Sequence, residues 1–442
     1  MNRLRRIVRR LSMAENGESH NNGSGDSQHR EDTSASSSRN FDLTLPSRHT
    51  YLGDLREVSS TPYYPEGDLV LLPVVHIPDV VLMPHQQIPI NVEPYELDLN
   101  PILNDLLDVE HQRKGFVCMA AQTGHDEHFL SMHPYYYFGT IASVVRIENS
   151  DVQHGEDEGI RMIVKGCQRC YLKKSVVEGG AIYQKHYGWF RILPVCTMPN
   201  PLAQATPNEW KTALASVNCR SFGAYCTSLM PPVFSTLEVN SLVEAITAEI
   251  KTWQMTDGYP QDPLDFSYFV ASNLPVSAQT RLQLLGAVST AHRLRACLKM
   301  LRAYNQLDCF DCHTMVAAKE DGICMTREGL TTAYMNPGGL TQEIFTVKKV
   351  SPNIYFHGKP TLEFTWFPGY TWRHAACGTC HSHLGWRYDA VRKDMHPQQF
   401  FGLQREEVLP SINPTTQMNP EERLRYIEEQ MMEMMPITYR EL

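Results

Sequence analysis

The spacing of apolar residues divides the chain into a polar tail, a region of short strands and a helical region. Residues 1–40 carry few apolar side chains and a serine-rich run at 34–38, so we expect a disordered tail there and an extended segment over 41–67. Beyond it the chain shows short apolar runs broken by prolines, as in 69–78 and 80–90. Such runs are typical of buried strands separated by turns.

More strands are predicted downstream, and we assign a β part to 68–195. The runs that predict them are 115–121, 139–147, 160–166 and 189–194. A helix fits 95–110, and the acidic stretch 151–158 is interpreted as a loop. Several short strands with turn signals between them indicate a β-barrel or a folded sheet.

Helical periodicity dominates the next part, 200–303. Apolar residues recur every three or four positions in 209–225 and 237–253. The clearest helix is predicted to run from Ser277, a good N-cap, to Tyr304. Its apolar stripe consists of Leu282, Leu285, Val288, Leu294, Leu298 and Leu301. We interpret this stripe as the face that packs against the preceding helices.

Two cysteine pairs predict a metal site in the last third of the chain. Cys309 and Cys312 form one pair, and Cys377 and Cys380 form the other, each with two residues between the cysteines. Four thiolates in two such knuckles hold zinc tetrahedrally and leave no open position. We therefore predict one structural Zn²⁺ that ties together a small β domain. We expect Gly378 to supply unusual backbone angles inside the second knuckle.

Other pairs of metal-binding residue types are interpreted as structural. Cys167 and Cys170 follow a strand with no second pair nearby, so we expect semi-buried thiols. The histidine pair at 125 and 128 lies in a polar loop, and the pair at 381 and 383 follows a completed four-thiolate set. We expect both histidine pairs to be exposed and uncommitted.

Composition describes a globular protein with two or three domains. The chain has 442 residues, of which 42% are hydrophobic and 20% charged, and no apolar run is long enough to span a membrane. The net charge of −9 argues against a protein built to hold a nucleic-acid backbone. Twelve cysteines without a secretory signal favour reduced thiols, and hence the cytoplasm and the nucleus. The arginine-rich start also fits a mitochondrial transit peptide, although its acidic continuation favours a plain tail.

Three of the six tryptophans cluster around the second cysteine pair. Trp366 and Trp372 flank a Pro-Gly turn, and Trp386 follows Cys380, with Tyr388 on the same face if this stretch is a strand. One interpretation is a tryptophan-rich core. The other is a pocket whose rings enclose a flat apolar group or a cation. Large rings grouped beside turns favour the pocket.

The β part and the helical part together resemble a known domain. An apolar run with Pro73, Pro78 and Pro84, and a Lys-Gly-Cys-Gln-Arg turn at 165–169, resemble the N-terminal substrate-binding domain of Lon proteases over roughly 68–303. No serine–lysine protease domain or ATPase loop follows in this sequence. The resemblance therefore implies the fold of that domain without the proteolytic half of Lon.

The motifs at 334–337, 363–372 and 384–386 resemble the thalidomide-binding domain of the cereblon family, and the order of tail, Lon-like domain and zinc domain is similar too. The resemblance implies a non-enzymatic substrate receptor of a cullin–RING ubiquitin ligase. It implies that the helical part, whose segment 200–255 matches poorly, docks the large damaged-DNA-binding adaptor protein of the cullin-four ligase. It also implies substrate proteins and glutarimide or other cyclic-imide ligands as partners, with no nucleic acid and no membrane span.

Carried onto this sequence, the resemblance implies a ligand cage with three tryptophan walls. The implied ligand-binding residues are Phe364, Trp366, Trp372, Trp386, Tyr388 and Asn336. Tyr388 stands where the family usually has phenylalanine, and Phe364 stands where it has a histidine whose backbone we expect to bond the imide. Gly338, Leu340 and Gln342 differ from the His, Tyr and His of the family's sensor loop. We expect these changes to affect drug-dependent substrates more than imide binding.

We therefore predict an α+β multidomain protein. Its parts are a tail at 1–40, an extended segment at 41–67, a Lon N-terminal-like domain at 68–303, a zinc-stapled all-β, β-tent-like domain at 305–412, and a C-terminal tail at 413–442. Within the Lon-like domain, the β part covers 68–195 and the helical adaptor-docking part covers 200–303.

Two other classes of function compete with the receptor. A methionine-sulfoxide-reductase-like enzyme would also carry two zinc knuckles on a β fold, but Cys324 is the only spare cysteine in the domain and no neighbour activates it. A nucleic-acid-binding zinc module needs cations interleaved with the aromatic residues. The nearby cations are Arg373, Arg387, Arg392 and Lys393.

Overall fold

A computed structural model describes residues 39–58, 62–92, 115–121, 134–148, 159–179, 184–195, 239–253, 255 and 258–411. The predicted C-terminal tail and all but two residues of the N-terminal tail lie outside these residues. So do the predicted helices at 95–110 and 209–225, the acidic loop at 151–158, and the histidine pair at 125 and 128.

The first domain is built on a sheet of seven strands that closes on itself. After β1 (Arg39–Asn40), which pairs elsewhere, the strands are β2 (Leu55–Glu57), β3 (Leu69–Pro78), β4 (Gln87–Val92), β5 (Phe116–Ala121), β6 (Phe138–Glu148), β7 (Ile160–Gly179) and β8 (Gln184–Ile192). Their order is β2-β6-β5-β3-β8-β7-β4, and β6 also pairs with β7, so the sheet forms a barrel. Apolar side chains such as Ile88, Phe116 and Met162 are fully buried in its cores. The barrel agrees with the strand pattern of the sequence.

Strand β7 differs from the sequence prediction, which ends it near residue 166 and expects a turn at 165–169. The chain instead stays extended for 20 residues, pairing first with β4 and β6 and then with β8. Gly166 explains the difference, because a Cβ there would lie 2.3 Å from the carbonyl oxygen of Met83. The Gly166 amide donates to the Gln86 carbonyl oxygen at 2.9 Å. The glycine therefore marks a close approach of two chain segments and not a turn.

Four α-helices are described: α1 (Val239–Glu249), α2 (Pro263–Asn273), α3 (Ala278–Leu285) and α4 (Thr290–Ala303). None of them is long and apolar enough to cross a membrane. The Asp262 side chain caps α2 by accepting the amides of Leu264 and Asp265. The helices pack together through buried residues such as Leu242 and Leu294.

The single helix predicted over 277–304 is in fact two helices, α3 and α4. The first helix ends before Gly286, and the second begins after Ser289. The Ser289 hydroxyl caps the second helix by accepting the His292 amide at 3.2 Å. A Cβ at Gly286 would lie 2.6 Å from the ring of Phe138, so the break lies where the helices meet the barrel. The apolar stripe is buried as predicted except for Val288, which lies in the break and is half-buried.

The second domain consists of two sheets. Its strands are β9 (Gln306–Cys309), β10 (Met315–Ala318), β11 (Thr331–Met335), β12 (Thr341–Val347), β13 (Ile354–Thr361), β14 (Tyr370–Cys377), β15 (His383–Ala390), β16 (Met395–His396), β17 (Gln399–Gln404) and β18 (Val408–Ser411). One sheet has the order β10-β9-β18, and the other has the order β11-β12-β17-β15-β14-β13. Strand β1 joins β16 in a parallel pair. This is the all-β domain that the sequence predicts.

The N-terminal segment connects the two domains. Phe41 packs edge-on against Tyr370 of the second domain, with ring centroids 5.3 Å apart. Strand β2 pairs with β6 of the barrel. Between these contacts, the Tyr51 hydroxyl accepts a hydrogen bond from the Met335 amide at 3.0 Å. The segment predicted to be extended over 41–67 is therefore part of the domain junction.

A buried cluster of charges crosses the same junction. Glu343 on β12 lies 2.5 Å from Arg281 of α3 and 3.0 Å from Arg405, and the three side chains are at most 4% exposed. Arg281 also donates to the Asp79 carbonyl oxygen, and Arg405 donates to the Ser272 carbonyl oxygen. Burial, together with the charge of Arg281, lowers the pKa of Arg405 to about 9, and Glu343 opposes this shift. One carboxylate thus compensates two buried cations.

We expect the substitution Glu343→Gln to destabilise the full-length protein by about 3–5 kcal/mol, because it removes the carboxylate that pairs with two buried guanidinium groups. Urea unfolding followed by circular dichroism at pH 7 measures the change. The matched control is Glu320→Gln, which alters an exposed carboxylate and should change the free energy of unfolding by less than about 0.5 kcal/mol. Equal unfolding midpoints for the two variants would contradict a structural role for the charge cluster.

Candidate metal centre and aromatic ligand site

The four cysteines of the two knuckles meet in one cluster. The Sγ atoms of Cys309, Cys312, Cys377 and Cys380 all lie within 4.8 Å of one another. The Sγ atoms of Cys309 and Cys380 are 3.6 Å apart, and those of Cys312 and Cys377 are 3.5 Å apart. Sulfurs bound tetrahedrally to one Zn²⁺ at ~2.3 Å lie about 3.8 Å from each other, so the cluster fits one zinc ion. Among the described residues no other such group is close enough to hold a metal.

Each knuckle reverses the chain with a left-handed residue after its second cysteine. These residues are His313, at φ 58°, and His381, at φ 62°, and their amides donate to the carbonyl oxygen of the first cysteine at 2.9 Å. The sequence prediction that Gly378 supplies the unusual angles is therefore wrong. Gly378 is needed for space instead, because a Cβ there would lie 2.4 Å from the Asn353 carbonyl oxygen.

The surroundings of the sulfurs affect how readily they ionise. Burial raises the pKa of the Cys309 thiol. Burial acts in the same direction at Cys312, but hydrogen bonds with Thr314 outweigh it and lower that pKa to about 7. Ser382 lies 3.2 Å from the Cys380 sulfur on the other side of the cluster. Because zinc binds thiolates, metal uptake here releases protons and becomes more favourable as the pH rises.

The remaining Cys-x-x-Cys pair, Cys167 and Cys170, lies in β7 and does not form a metal cluster with other described residues. Cys170 is buried and Cys167 is half-buried, as the sequence predicts. Among the described residues, neither sulfur belongs to a group of three or more metal-binding side chains. The Cys167 thiol lies 3.5 Å from the Ser143 hydroxyl.

The three tryptophans and their aromatic neighbours form one cluster. Trp366 and Trp386 meet edge-to-face, with ring centroids 4.8 Å apart and planes at 73°. Trp366 also stacks on Tyr334 at 5.0 Å, and its Nε1 donates to the Met335 carbonyl oxygen at 3.2 Å. Both rings are 6% exposed, whereas Trp372 is half-buried. Two of the three rings are therefore buried in the cluster, and a hydrogen bond also fixes that of Trp366.

Trp372 is held by the turn that carries Phe364. Its Nε1 donates to the Glu363 carbonyl oxygen at 2.8 Å, and the Thr365 amide closes the turn on the Leu362 carbonyl oxygen at 3.3 Å. Phe364 at the tip has φ 50° and is 51% exposed. A bulky residue rarely adopts a positive φ, so the neighbouring hydrogen bonds must impose this conformation.

Asn336 begins the loop between β11 and β12. Its side-chain oxygen accepts the Leu340 amide at 2.9 Å, and its own amide donates to the Leu340 carbonyl oxygen at 3.0 Å. A cavity of about 400 Å³ lies beside this loop. Phe364 lines it from the second domain, and Asn91 and Arg161 line it from the barrel. The cavity beside Asn336 and Phe364 is thus lined by residues of both domains.

Tyr388 lies in the core of the aromatic cluster. It is 2% exposed, stacks on Phe400 at 4.8 Å and meets Phe367 edge-on at 4.8 Å. Burial raises its pKa well above the usual value. Tyr388 also lies directly opposite Trp372 in the pairing of β14 with β15. Direct contact of Tyr388 with a ligand stays a prediction.

Histidines next to the cluster are the residues that sequence reasoning missed. His381 is exposed as predicted, but the prediction is wrong for His383, which is half-buried and packs edge-on against Trp386 at 5.0 Å. A β-bulge opposite residues 375 and 376 shifts the register here and brings His383 onto the face of the tryptophans. His374 packs against Trp372 at 5.4 Å. Trp372 and His374 are two residues apart on β14 and therefore lie on the same face of the sheet. This spacing is the only sequence signal for the contact between their rings.

We expect the purified protein to contain one zinc ion per chain and Cys312→Ser to contain less than about 0.1, because three thiolates and a hydroxyl hold zinc poorly. Elemental analysis after dialysis measures the metal content. A strong chelator should also remove the zinc and unfold the second domain, seen as a red shift of tryptophan emission. Cys167→Ser is the matched control and should keep one zinc. Equal zinc contents in the two variants would contradict the site.

Comparison with known families covers both domains. Residues 71–303 match the model of the ATP-dependent protease La (LON) substrate-binding domain. Residues 306–423 match the model described as Yippee zinc-binding/DNA-binding/Mis18, centromere assembly. The Lon-type match agrees with the barrel and its helices. The zinc-binding match agrees with the four-cysteine cluster, so the second domain holds one structural zinc.

Relatives similar over most of the chain bear the name cereblon. Protein cereblon of Danio rerio is 30% identical over 409 residues, which cover 86% of this chain and 90% of the relative. Those of Gallus gallus and Xenopus tropicalis are each 28% identical over 84% of this chain and 85% of the relative. Because neither domain alone makes up that share of the chain, the similarity extends over parts of both domains. The chain belongs to the cereblon family.

Proposed function

We propose that the protein is a substrate receptor of a cullin–RING ubiquitin ligase. It captures cyclic-imide groups between Trp366, Trp372 and Trp386 and presents the proteins that carry them for ubiquitination and proteasomal degradation. In this proposal the protein has no catalytic activity of its own and works in the cytoplasm and the nucleus. Membership of the cereblon family supports the receptor role.

The observation that carries the proposal is the arrangement of the three indole rings. Trp366 and Trp386 stand at 73° to each other, and Trp372 belongs to the same cluster but is only half-buried. A glutarimide ring has an apolar CH₂ edge and a polar imide edge. Aromatic walls suit the apolar edge, and main-chain groups suit the imide.

The turn at Phe364 supports the polar half of this binding mode. Its backbone is held in a left-handed conformation and its neighbour Glu363 already bonds Trp372, so the main chain of the turn is ordered next to the rings. The cavity of about 400 Å³ beside Phe364 and Asn336 provides room for whatever is attached to the imide. The replacement of the family's histidine by Phe364 leaves the main-chain groups in place.

Titration of the zinc-loaded, full-length protein with glutarimide tests the cage. We expect saturable quenching of tryptophan fluorescence, confirmed by calorimetry. Trp372→Ala should weaken binding at least about tenfold, because it removes one aromatic wall. Trp372 is preferred to Trp386 for this test because it is half-buried, so its removal disturbs the core less.

Trp189→Ala is the matched control for this titration. Trp189 lies on the barrel and is 37% exposed, so its removal should leave the affinity for glutarimide unchanged. Absence of saturable binding to the wild-type, zinc-loaded protein in both assays would reject the cage. An equal loss of affinity in both variants would point to a general effect of losing a tryptophan.

The ligase role needs a separate experiment. We expect the protein to co-elute with the damaged-DNA-binding adaptor when the two are co-expressed, and the complex with cullin four and its RING partner to ubiquitinate a protein that ends in a cyclic imide. Trp372→Ala should keep the co-elution and lose the ubiquitination. Failure to bind the adaptor would leave an imide-binding protein without a ligase role.

The described residues do not favour the reductase alternative. Cys324, the spare thiol of the second domain, is 4% exposed, and burial raises its pKa. Its amide donates to the Trp253 carbonyl oxygen, in a core cluster separate from that of the three tryptophans. A buried thiol that stays protonated is a poor nucleophile.

A further inference from the structure

Three histidines form a row of rings on the sheet that carries the tryptophans. They are His357 on β13, His374 on β14 and His383 on β15, and we call them the histidine shelf. His357 stacks on His374 with centroids 5.1 Å apart and planes at 16°, and His374 meets His383 at 5.3 Å. His374 lies directly opposite His357 on one side and Trp386 on the other. The shelf is therefore a cross-strand row of side chains.

The histidine shelf is continuous with the proposed cage. His374 packs edge-on against Trp372 at 5.4 Å, and His383 packs edge-on against Trp386 at 5.0 Å. In the other direction the shelf reaches β13, the last strand of its sheet, where His357 is exposed. Among the described residues, no strand pairs with the outer edge of β13. Rings thus extend from two cage walls to the open edge of the sheet.

The chemistry of the shelf suits an uncharged flat group. Burial, and next the neighbouring His357, lower the pKa of His374, so its ring is neutral at pH 7. The nearby cations Arg373 and Arg387 lie over the ring of Phe356, on the other face of the sheet. The ring of His374, at the centre of the shelf, therefore offers no positive charge to an acidic side chain at neutral pH. An aromatic side chain would find ring faces and edges.

We propose that the histidine shelf receives an aromatic side chain located one or two residues before the C-terminal cyclic imide of a substrate protein. The inference rests on the proposed function, because the imide bound in the cage fixes the position of the C-terminal end of the substrate chain. An extended chain advances about 3.3–3.6 Å per residue. The ring of His374 is 5.4 Å from that of Trp372, so a chain leaving the cage on this side passes the shelf within two residues.

Synthetic peptides that end in a cyclic imide test the proposal on the full-length, zinc-loaded protein. The peptides differ only in carrying Tyr, Ala or Asp at the two positions before the imide. We expect the Tyr peptides to bind about three- to tenfold more tightly than the Ala peptides, the range expected for an aromatic pair, and the Asp peptides to bind no more tightly than Ala.

Substitutions in the histidine shelf test whether the shelf is the surface that prefers a tyrosine side chain. His357→Ala and His374→Val should each bring the ratio of Tyr to Ala affinities to within about twofold, because each removes a ring that the aromatic side chain contacts. Lys359→Ala is the matched control, since Lys359 is exposed on the same strand, and it should keep the wild-type ratio. Circular dichroism checks that each variant is folded.

The outcomes separate this inference from the proposed function. Equal affinities of all peptides, with free glutarimide still bound, would overturn the shelf and leave the cage standing. No binding of glutarimide or of any peptide would overturn both. A preference for Tyr that persists in both histidine variants would assign it to another surface, such as the cavity beside Asn336, and would also overturn the shelf.

Discussion

The second cysteine knuckle is also the turn of the hairpin formed by β14 and β15. Cys377 ends β14, and β15 begins at His383, just after Cys380. A zinc ion that holds both cysteines against the first knuckle fixes the length and direction of this turn. This turn determines which residues of the two strands pair with each other. Trp372 and Tyr388 form one such pair. The aromatic site therefore depends on a register that the metal sets from outside the site.

The position of the loop beside the tryptophans depends on the barrel as well. Before the loop, the Met335 amide donates a hydrogen bond to the Tyr51 hydroxyl. After the loop, the Thr341 hydroxyl donates to the Pro89 carbonyl oxygen at 2.8 Å. Two residues further on, Glu343 carries the buried ion pairs with the helices and with Arg405. A buried ion group contributes little net stability compared with apolar packing, but it tolerates few geometries. The junction therefore holds the loop in one position, and the cavity lined by both domains follows from it.

Features that depend on local chemistry could be predicted from the sequence, whereas features that depend on register could not. The zinc cluster is local, because each knuckle needs only a short spacing and a reversal of the chain. The role of Gly166 depends on Met83, which is distant in the chain, so the glycine was indistinguishable from a turn signal. The break between α3 and α4 at Gly286 depends on the ring of Phe138 in the barrel. The apolar stripe of the sequence keeps its helical period across this break, so the pattern does not reveal it. The contact of His357 with His374 depends on pairing across a bulge and a loop, which no spacing along the chain encodes.

Phe364, a residue of the proposed ligand site, illustrates how a backbone conformation can be held without help from the side chain. A left-handed conformation costs a bulky residue about 1–3 kcal/mol, so the turn must be maintained by other contacts. Those contacts are the bond from Trp372 to the Glu363 carbonyl oxygen and the bond from the Glu363 amide to the Thr361 hydroxyl at 3.1 Å. Neither bond involves the side chain of residue 364. The main chain can therefore keep its conformation whether residue 364 is a histidine or a phenylalanine, and under the proposed function any difference in ligand choice would arise from the side chains around the turn. In the proposed binding mode, the exposed ring of Phe364 would favour apolar groups attached to the imide, and the histidine shelf would favour an aromatic one.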